Sequence, residues 1–382
     1  MTTAVIVDVV RTASGRGKPG GALSAYHPVD LLSTVLTALV ERTGIDPGII
    51  DDVIGGCISQ VGQQSVNITR SAVLAAGFPE SVPAVTIDRQ CGSSQQAATF
   101  AAQGVIAGAY DIVIACGVEM MSRNPINFAT IGEDPFGPLV HARYPDGLVG
   151  QGISAELVAA RWGLEREQLD EFSARSHRLA ASADFSGEIV GDLLVDETIR
   201  PATSTESLAG LKPAFFSEEN AARFPEIGWN VTPGNSSPLT DGASAALIMS
   251  EEMAAKLGLT PRARFHSVAV TGSDPIEMLT GIIPATRRIL DRSGLGIDDI
   301  DSFEVNEAFA SVPLAWQKEF DVDLDRLNPR GGAIALGHPL GASGTRLLTT
   351  LVTTLEQTGG RYGLQTMCEG AGMANATIIE RL

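Results

Sequence analysis

The chain has 382 residues, and 45 acidic side chains against 27 basic ones give it a formal charge of −18. A nucleic-acid binder or an anionic-membrane binder needs a basic face that displaces counterions, so we expect neither partner. Hydrophobic residues make up 44% and charged residues 19% of the chain, a composition typical of a globular protein with a large buried core.

The N-terminal stretch MTTAVIVDVVRTASGRGKPGG differs from a secretory signal, because Asp8 lies inside its apolar part and its basic residues follow that part. No run of sequence approaches the roughly 18 apolar residues of a membrane span. The four cysteines are widely spaced and form no CxxC pair, which argues against a disulfide framework or a zinc site. We therefore expect a soluble, cytoplasmic protein without a bound metal.

Apolar runs alternate with amphipathic stretches along the first third of the chain. The runs AVIVDVV, DDVIGGCI, PAVTI and DIVIACG predict strands. A helix is predicted between Pro28 and Gly44, where apolar residues follow i, i+3, i+4 spacing and the glycine provides a C-terminal cap. A second helix, from Ser93 to Ala107, is predicted between the last two strands. Strands that alternate with helices predict an α/β fold with a parallel or mixed sheet.

The middle of the chain, from about residue 118 to residue 235, has a different character. It mixes helical patterns with turn clusters such as GEDPFGP and TPGNSSP, and it is interpreted as an inserted lid or binding face. Within it, GLEREQLDEFSARSHRLAASA predicts a solvated outer helix. We interpret His27, His141, His177 and His266 as surface residues.

The two ends of the chain resemble each other at an offset of 250 residues. The segment ERTGI at residues 41–45 matches DRSGL at residues 291–295 in kind, and Ile-Asp at 50–51 recurs at 300–301. In each copy a Gly-rich turn, a long helix and a strand ending in cysteine follow. The simplest interpretation is two copies of one α/β unit, and the alternative is a chance recurrence of common elements.

Cys91 lies in TIDRQCGSSQQAATF, between a strand-like segment and a predicted helix. A thiol at a helix N-terminus lies at the positive end of the helix dipole, which favours the nucleophilic thiolate. The alternative is a buried structural cysteine, and this is our interpretation of Cys57 and Cys116, which lie inside apolar runs.

Three further segments carry candidate residues. His338 lies in the glycine-rich segment NPRGGAIALGHPLGASGTR, which has neither a P-loop lysine nor GxGxxG spacing. Cys368 closes GLQTMC, and glycines at 370 and 372 leave backbone N–H groups open to a substrate oxyanion. Asn306 lies at a strand-to-helix junction in EVNEAFA, where its amide can fix a water or cap the helix. None of these residues identifies a function alone.

Taken together, these segments resemble the thiolase family. CGSSQQA resembles its nucleophile segment, NEAFA its asparagine segment, GGAIALGHPLGASG its histidine loop and GLQTMCEGAGMANATIIERL its second-cysteine loop. They occur in family order and span nearly the whole chain. Among subfamilies, the chain looks closest to the degradative 3-ketoacyl-CoA thiolases of bacterial lipid or steroid breakdown.

The resemblance implies an α/β fold of two βαβαβαββ halves stacked as five layers, with a loop domain inserted in the first half. We predict an N-terminal half over residues 1–117 plus 236–258, a CoA-binding loop domain over 118–235 and a C-terminal half over 259–382. GASAALIMS would be the strand that returns to the first half. Family members are dimers or tetramers, so a homodimer or homotetramer is expected, and a β-oxidation partner subunit stays open.

The resemblance also assigns chemical roles. Cys91, activated by His338, attacks C3 of a 3-ketoacyl-CoA, and Cys368 protonates the departing acetyl-CoA carbanion and then deprotonates CoA. His338 and a water on Asn306 would hold the enolate oxygen, and the N–H groups of Cys91 and Gly370 would hold the tetrahedral intermediate. CoA and acyl-CoA are then substrates, and no permanently bound cofactor is expected.

By the same resemblance, five residues contact CoA or the acyl group. Arg200 matches the adenine-side arginine and Ser237 the serine that contacts pantetheine, while Met278, Ala308 and Phe309 match pocket-lining positions. Without the family, an exposed ion-pairing arginine, a turn serine and core residues are the default interpretations.

Several residues depart from the family pattern. Gly150 replaces a histidine of the short-chain biosynthetic thiolases and Gln151 replaces a methionine, which predicts a wider acyl pocket. Glu369 replaces an apolar residue after Cys368, and we expect it to point outward, since a carboxylate beside the thiol would raise the pKa of that thiol. The other departures are Pro238, Pro329, Arg330 and Ala371.

Other functions fit parts of the sequence. A short-chain acetyl-CoA acetyltransferase uses the same four residues, and the pocket departures make it the alternative. A ketoacyl synthase would carry two histidines where this chain has Asn306 and Cys368. A non-catalytic acyl-CoA binder on the same scaffold would be expected to have lost one of the four residues, and none is lost.

Overall fold

The computed structural model describes residues 2–382. Its strands are Ala4–Thr12 (β1), Gly15–Arg16 (β2), Asp52–Gly56 (β3), Ala84–Ile87 (β4), Ile112–Met120 (β5), Ile189–Val190 (β6), Thr240–Ser250 (β7), Ala263–Gly272 (β8), Ser302–Val305 (β9), Tyr362–Glu369 (β10) and Met373–Arg381 (β11). They form one mixed sheet in the order β4-β3-β5-β7-β1-β8-β11-β10-β9, with β2 beside β7 and β6 beside β1. The predicted strand GASAALIMS is β7, which lies between β5 and β1 as expected.

The helices surround this sheet on several levels. They are Pro28–Thr43 (α1), Ile68–Ala75 (α2), Ser93–Ile106 (α3), Gly137–Arg143 (α4), Gln151–Arg161 (α5), Arg166–Ser182 (α6), Thr205–Ala209 (α7), Glu218–Arg223 (α8), Glu251–Leu257 (α9), Ile282–Ser293 (α10), Ser311–Phe320 (α11), Ala333–Leu336 (α12) and Ser343–Thr358 (α13). Among residues 2–382 there is no helix with the length and apolar character needed to cross a bilayer.

The sequence repeat is present in the fold. α3 begins at Ser93 and α13 at Ser343, and β5 begins at Ile112 and β10 at Tyr362, so both pairs keep the offset of 250 residues. α1 and α10 both end on a glycine in the left-handed conformation, which closes the last turn without the steric cost of a Cβ. The predicted duplication is therefore confirmed, whereas the exact domain boundaries stay a prediction.

The five layers follow from helix packing. α1 and α2 cover the outer face of the N-terminal strands β1, β3, β5 and β7, and a buried aliphatic cluster lies between them. α10 packs against the outer face of β8, β10 and β11 and contacts α11. α3 and α13 form the central layer, because α3 contacts β3 and β5 while α13 contacts β9 and β10.

The two central helices touch at their N-terminal ends. The Thr345 N–H donates to Ser94 Oγ at 3.0 Å. A Cβ atom on Gly344 would lie 2.0 Å from the backbone N of Gln95, so a residue without a side chain is required at this crossing. The turns that precede α3 and α13 are thereby brought together, and they carry Cys91 and His338.

One helix differs from its prediction. α6 was expected to be a solvated outer helix, but Leu169, Phe172 and Ala180 are buried along one face. His177 is also buried, with 2% of its surface exposed, so its interpretation as a surface residue was wrong. Its Nδ1 accepts the N–H of Arg200 at 3.1 Å, which satisfies a polar atom that burial would otherwise penalise.

Candidate active site

Cys91 lies in the turn between β4 and α3, two residues before the helix begins. Its side chain is buried, with 3% exposed, and it packs in one cluster with Leu347 and Met367, with Leu340 against it. Leu340 follows His338 by two residues, and Met367 directly precedes Cys368. The first cysteine therefore lies between the histidine loop and the end of the second-cysteine strand.

The environment of Cys91 keeps it protonated. Burial raises the pKa of the Cys91 thiol to about 12, against the smaller effects of a Gln151 hydrogen bond and of its own backbone N–H, which lower it. The expectation of a thiolate held by the helix dipole was therefore wrong. Removal of the thiol from water outweighs the dipole, so the resting group is a thiol that needs a base.

Gln151 reaches the nucleophile from the inserted region. It is the first residue of α5, and its side chain lies close enough to the Cys91 thiol to lower the pKa of that thiol. The residue before it, Gly150, has nothing within 4 Å of the place where a Cβ would stand. The sequence identified both positions as departures in the acyl pocket, but it did not predict that Gln151 contacts the sulfur.

The hydrogen bonds around His338 define its tautomer. Its Nδ1 lies 2.5 Å from Ser343 Oγ, and the Ser343 hydroxyl donates its proton to the Pro339 carbonyl at 2.9 Å. Because a hydroxyl has one proton, Nδ1 must be the donor in the first bond. Nε2 then carries the free lone pair, and Asn306 Nδ2 approaches it at 3.4 Å. His338 is arranged as a base at Nε2.

His338 and Asn306 are both buried, with 4% and 2% of their surfaces exposed. Burial and the charge of Arg346 lower the pKa of His338 to about 3, so the imidazole is neutral at physiological pH. Asn306 Oδ1 has no hydrogen-bond partner among the described residues, which leaves an acceptor free for a water or a substrate group.

The backbone of His338 is fixed from the first half. Its N–H donates to Thr240 Oγ1 at 3.0 Å, and the Thr240 hydroxyl donates to the Pro238 carbonyl at 2.7 Å. Pro238, one of the departures from the family pattern, thus accepts a hydrogen bond from Thr240, the residue that holds the His338 backbone. Thr240 and Ser343 are supporting residues that the sequence did not single out.

Cys368 lies at the end of β10, next to the first cysteine. It is buried, with 1% exposed, and burial together with the proximity of Cys91 and Glu369 raises the pKa of its thiol well above the usual value. Gly370 follows directly after the strand, and a Cβ there would lie 2.9 Å from Gln90 Oε1. The Asn306 N–H donates to the Thr366 carbonyl at 3.1 Å, two residues before Cys368, so the segment that carries Asn306 lies beside the strand of the second cysteine.

Glu369 does not point outward, so that expectation was wrong. Its side chain is completely buried, and burial raises the pKa of its carboxyl to about 9. Glu369 lies on the face of β10 that packs against the turn before α3. A Cβ on Gly92, in that turn, would lie 1.9 Å from Glu369 Oε1, so the carboxyl occupies the space that the glycine leaves.

Four of the five predicted CoA and acyl contacts lie near one another. Ser237 donates its N–H to the Ala308 carbonyl at 3.0 Å. Met278, Ala308 and Phe309 belong to the buried cluster that also contains Cys368. Phe309 makes an edge-to-face contact with Phe215 of the inserted region, with ring centroids 5.9 Å apart.

Arg200 stands apart from that group. Its side chain is exposed on a loop of the inserted region, where it is free to meet an anionic ligand. Arg330, another departure, is buried: it pairs with Glu188 and stacks on Phe185 at 4.4 Å from the ring centroid. This departure anchors the inserted region to the C-terminal half.

The sequence matches the thiolase N-terminal domain over residues 4–252 and the thiolase C-terminal domain over residues 259–381. The chain belongs to the thiolase family. This thiolase is 49% identical over 402 residues to a steroid 3-ketoacyl-CoA thiolase of Mycobacterium tuberculosis, an alignment that covers 100% of this chain and 95% of the relative. It is 43% identical over 400 residues to a 3-ketoacyl-CoA thiolase of Aliivibrio salmonicida, with 100% of both chains covered.

A solved structure shares the whole architecture of this thiolase. The crystal structure of the Bacillus anthracis acetyl-CoA acetyltransferase superposes with a TM-score of 0.87 at 35% sequence identity, over 100% of this chain and 99% of the other. The predicted five-layer fold is confirmed by this likeness together with the domain matches.

Proposed function

We propose that this thiolase is a 3-ketoacyl-CoA thiolase, which cleaves a 3-ketoacyl-CoA with CoA into acetyl-CoA and a shortened acyl-CoA. The observation that supports the proposal is the burial of Cys91, Cys368 and a neutral His338 on adjoining segments, since Cys91 packs against Leu340 of the histidine loop and Met367 before Cys368. Thiolysis needs a nucleophile, a proton donor for a carbanion and stabilisation of an enolate, and this site offers a group for each.

In the first step Cys91 Sγ attacks the C3 carbonyl carbon while its proton passes to His338 Nε2. Both groups are neutral at rest, so the transfer accompanies attack rather than preceding it. The C2–C3 bond then breaks, its electron pair goes to C2, and the acyl group remains on Cys91 as a thioester. The C2 carbanion is stabilised as the enolate of acetyl-CoA.

In the second step Cys368 donates its thiol proton to C2, and acetyl-CoA leaves. The resulting Cys368 thiolate takes the proton of an incoming CoA thiol, whose sulfur attacks the thioester; the shortened acyl-CoA leaves, and the Cys91 thiolate takes back the proton held on His338 Nε2. The raised pKa of the Cys368 thiol, a result of its burial, suits this role, because its proton stays in place until a strong base forms beside it. Reversal of these steps is a Claisen condensation.

Two sets of donors would stabilise the charges. His338 and a water on the free Oδ1 of Asn306 would hold the enolate oxygen. The backbone N–H groups of Cys91 and Gly370 would hold the oxyanion at the thioester carbon. Each donor of this kind contributes on the order of 3 kcal/mol to the transition state.

We also assign CoA recognition to the five predicted contacts. Arg200 would meet the adenine-side phosphates, and Ser237 the pantetheine, while Met278, Ala308 and Phe309 would line the channel to Cys91. The exposed guanidinium of Arg200 and the Ser237–Ala308 hydrogen bond support this assignment. CoA and acyl-CoA are substrates in this scheme, and no permanently bound cofactor takes part.

The acyl group that the site accepts is proposed to be larger than acetyl. The open space at Gly150 supports this, because no side chain fills the place where short-chain biosynthetic thiolases carry a histidine. Similarity to the steroid 3-ketoacyl-CoA thiolase agrees with a bulky substrate. The second candidate, an acetyl-CoA acetyltransferase, is favoured by the full-length structural likeness to that enzyme.

The test is the intact mass of the protein after it is mixed with 3-ketoacyl-CoA esters from four carbons to steroid size, without free CoA. We expect an acyl adduct on Cys91 that forms faster with the larger esters. Cys91→Ala should form none, and Cys57→Ala, which removes a buried cysteine outside the site, should form the adduct normally. An adduct from acetoacetyl-CoA alone would favour the acetyltransferase, and no adduct from any ester would leave an acyl-CoA binder.

The assembly is also a proposal. We propose a homodimer or homotetramer in the cytoplasm, with the division into two halves and an inserted loop domain at the predicted boundaries. Strand β4 lies at one end of the sheet order, so one of its edges has backbone groups free to pair with a second copy. Sedimentation equilibrium of the purified chain tests the subunit number.

A further inference from the structure

Glu369 is a buried carboxyl that the mechanism above does not use. It directly follows Cys368, none of its surface is exposed, and neither of its oxygens has a hydrogen-bond partner among residues 2–382. A buried carboxylate without partners is strongly disfavoured, since it has lost its water and gained no donors. The arrangement therefore requires either a missing donor or a proton on the carboxyl.

The neighbours of the carboxyl favour a proton. A Cβ on Gly92 would lie 1.9 Å from Glu369 Oε1 and 3.0 Å from Asn375 Nδ2, so both side chains occupy the space beside Gly92 Cα. Asn375 Nδ2 donates to the Gly92 carbonyl at 3.1 Å, and its Oδ1 has no partner. A carboxylate could accept the second N–H of Asn375 Nδ2, but no such bond is present within residues 2–382, and Asn375 Oδ1 is an acceptor that can pair with the carboxyl only if the carboxyl carries a proton.

No charged group among the described residues forms a hydrogen bond with Glu369, and the buried Nε of the nearby Arg89 has no partner there either. Arg89, on the loop before Cys91, is near enough to lower the pKa of the carboxyl, but the two side chains form no ion pair within 4.0 Å in the described part of the chain. Asp88 on the same loop acts in the opposite sense. Cys91 and Cys368 are the other titratable neighbours, and both are thiols.

We propose that Glu369 is a positioning residue that works as an uncharged carboxylic acid, which donates a hydrogen bond to Asn375 Oδ1 and supports the Cys91–Gly92 turn. Its neutrality also keeps a negative charge away from the two sulfurs and the oxyanion that forms on them. Its loss of a proton is expected to slow acylation of Cys91. The effect on acylation rests on the proposed function, whereas the protonation of Glu369 does not.

The raised pKa of the carboxyl, about 9 as a result of burial, agrees with this proposal. Glu369 is neutral at pH 7, and it ionises as the pH passes 9. One pH unit above that point about nine-tenths of the molecules carry the charge, so a rate that requires the neutral form falls about tenfold.

The experiment compares the wild type with Glu369→Gln and Glu369→Val between pH 7 and pH 10. The readout is the rate of Cys91 acylation by a 3-ketoacyl-CoA, followed by intact mass. Glu369→Gln stays neutral and keeps a donor, so we expect it to acylate within about twofold of the wild type at pH 7 and to be about tenfold faster at pH 10. Glu369→Val also lacks the alkaline loss, but it acylates several-fold more slowly at pH 7, because Asn375 has no partner.

Superimposable pH profiles of the wild type and Glu369→Gln would overturn the requirement for neutrality, and equal rates for the glutamine and valine variants at pH 7 would overturn the hydrogen bond. A second readout needs no activity: the infrared difference spectrum of wild type minus Glu369→Gln at pH 7 should show the C=O band of a protonated carboxyl. A carboxylate band there would overturn the proposal. If no variant is acylated but the protonated band is present, the proposed function has failed and the protonation of Glu369 stands.

Discussion

Glu119 and Glu369 occupy equivalent positions in the two copies of the repeat, 250 residues apart near the ends of β5 and β10; β5 belongs to the first half and runs to Met120, past the predicted boundary at residue 117. Each carboxyl crosses to the other half. Glu119 accepts the N–H of Gly341, in the turn before α13, at 3.0 Å, and Glu369 lies against Gly92, in the turn before α3. The duplicated fold thus places a buried carboxyl under each of the turns that carry the chemistry.

The two carboxyls differ in their hydrogen bonds. Besides Gly341, Glu119 accepts the backbone N–H groups of Ile58 and Ser59 at 2.9 and 3.2 Å and the Gln64 amide at 2.9 Å. These donors balance a negative charge, although burial raises the pKa of Glu119. Glu369 has no such donors and lies beside two thiols. The same position in the repeat therefore supplies a carboxyl held by four hydrogen-bond donors in one half and, we propose, a neutral acid in the other.

The largest expected effect comes from making the two turns alike. Gly341 is the equivalent of Cys91 in the C-terminal half, so Cys91→Gly gives both turns a glycine. We expect no acyl adduct and at least about a 10³-fold loss of thiolysis, because no other group replaces the nucleophile. Thermal unfolding serves as the control and should move little. A Cys91→Gly protein that still forms the adduct would show that another residue is the nucleophile.

A smaller loss is expected from Asn306→Ala, which alters only the C-terminal side of the site. The variant removes the amide that would hold a water at the enolate oxygen, so cleavage of a 3-ketoacyl-CoA should slow by about 10²-fold. Acylation of Cys91 by acetyl-CoA forms no enolate and should persist. Single-turnover kinetics measure the rates of both reactions. An equal loss in both would contradict the assignment of Asn306 to the enolate step alone.

Glu119→Gln tests the member of the pair that accepts four hydrogen bonds. The glutamine NH₂ group would face N–H donors, so the hydrogen bonds to Gly341 and its neighbours are partly lost. We expect unfolding to become easier by about 2 kcal/mol and thiolysis to fall about tenfold, because the histidine loop loses its support. Denaturant unfolding and steady-state rates measure both, and Glu369→Gln is the matched control. Equal behaviour of the two variants at pH 7 would contradict the proposed difference.

The smallest effect concerns stability against pH. The folded pKa of Glu369 is raised by burial to about 9, so between pH 5 and pH 9 the folded state holds a proton that the unfolded state has lost. The stability of the wild type should therefore decline over that range relative to Glu369→Gln. We expect the melting temperature of the variant to exceed that of the wild type by a few degrees at pH 8, and by less at pH 5. A constant difference would mean that Glu369 does not titrate in this window.

The sequence predicted much of the fold because its signals are local. The helix that begins at Ser93 and the strand that contains Cys116 follow from apolar periodicity and glycine positions, and the repeat made the duplication visible. The motifs likewise brought Cys91, His338 and Cys368 into one prediction. Gln151 as a thiol partner could not be read in this way, because the contact joins the inserted region to a distant turn.

Burial of polar residues was the main error. Glu369 and His177 were both expected at the surface, because charged and polar side chains usually are. Their burial depends on what packs above them: the turn at Gly92 covers the first, and the Arg200 backbone covers the second. The glycine at position 92 is the one sequence signal that could have indicated space for the Glu369 carboxyl, because it has no side chain to fill that space.

The contact between α3 and α13 has a consequence for motion. Since Gly344 leaves no gap against Gln95, neither half can slide or rotate against the other without breaking the crossing that carries both catalytic turns. The spacing between the turn of the nucleophile and the turn of the histidine is therefore set by direct backbone packing of the two halves, and a larger residue at position 344 would move the two turns apart.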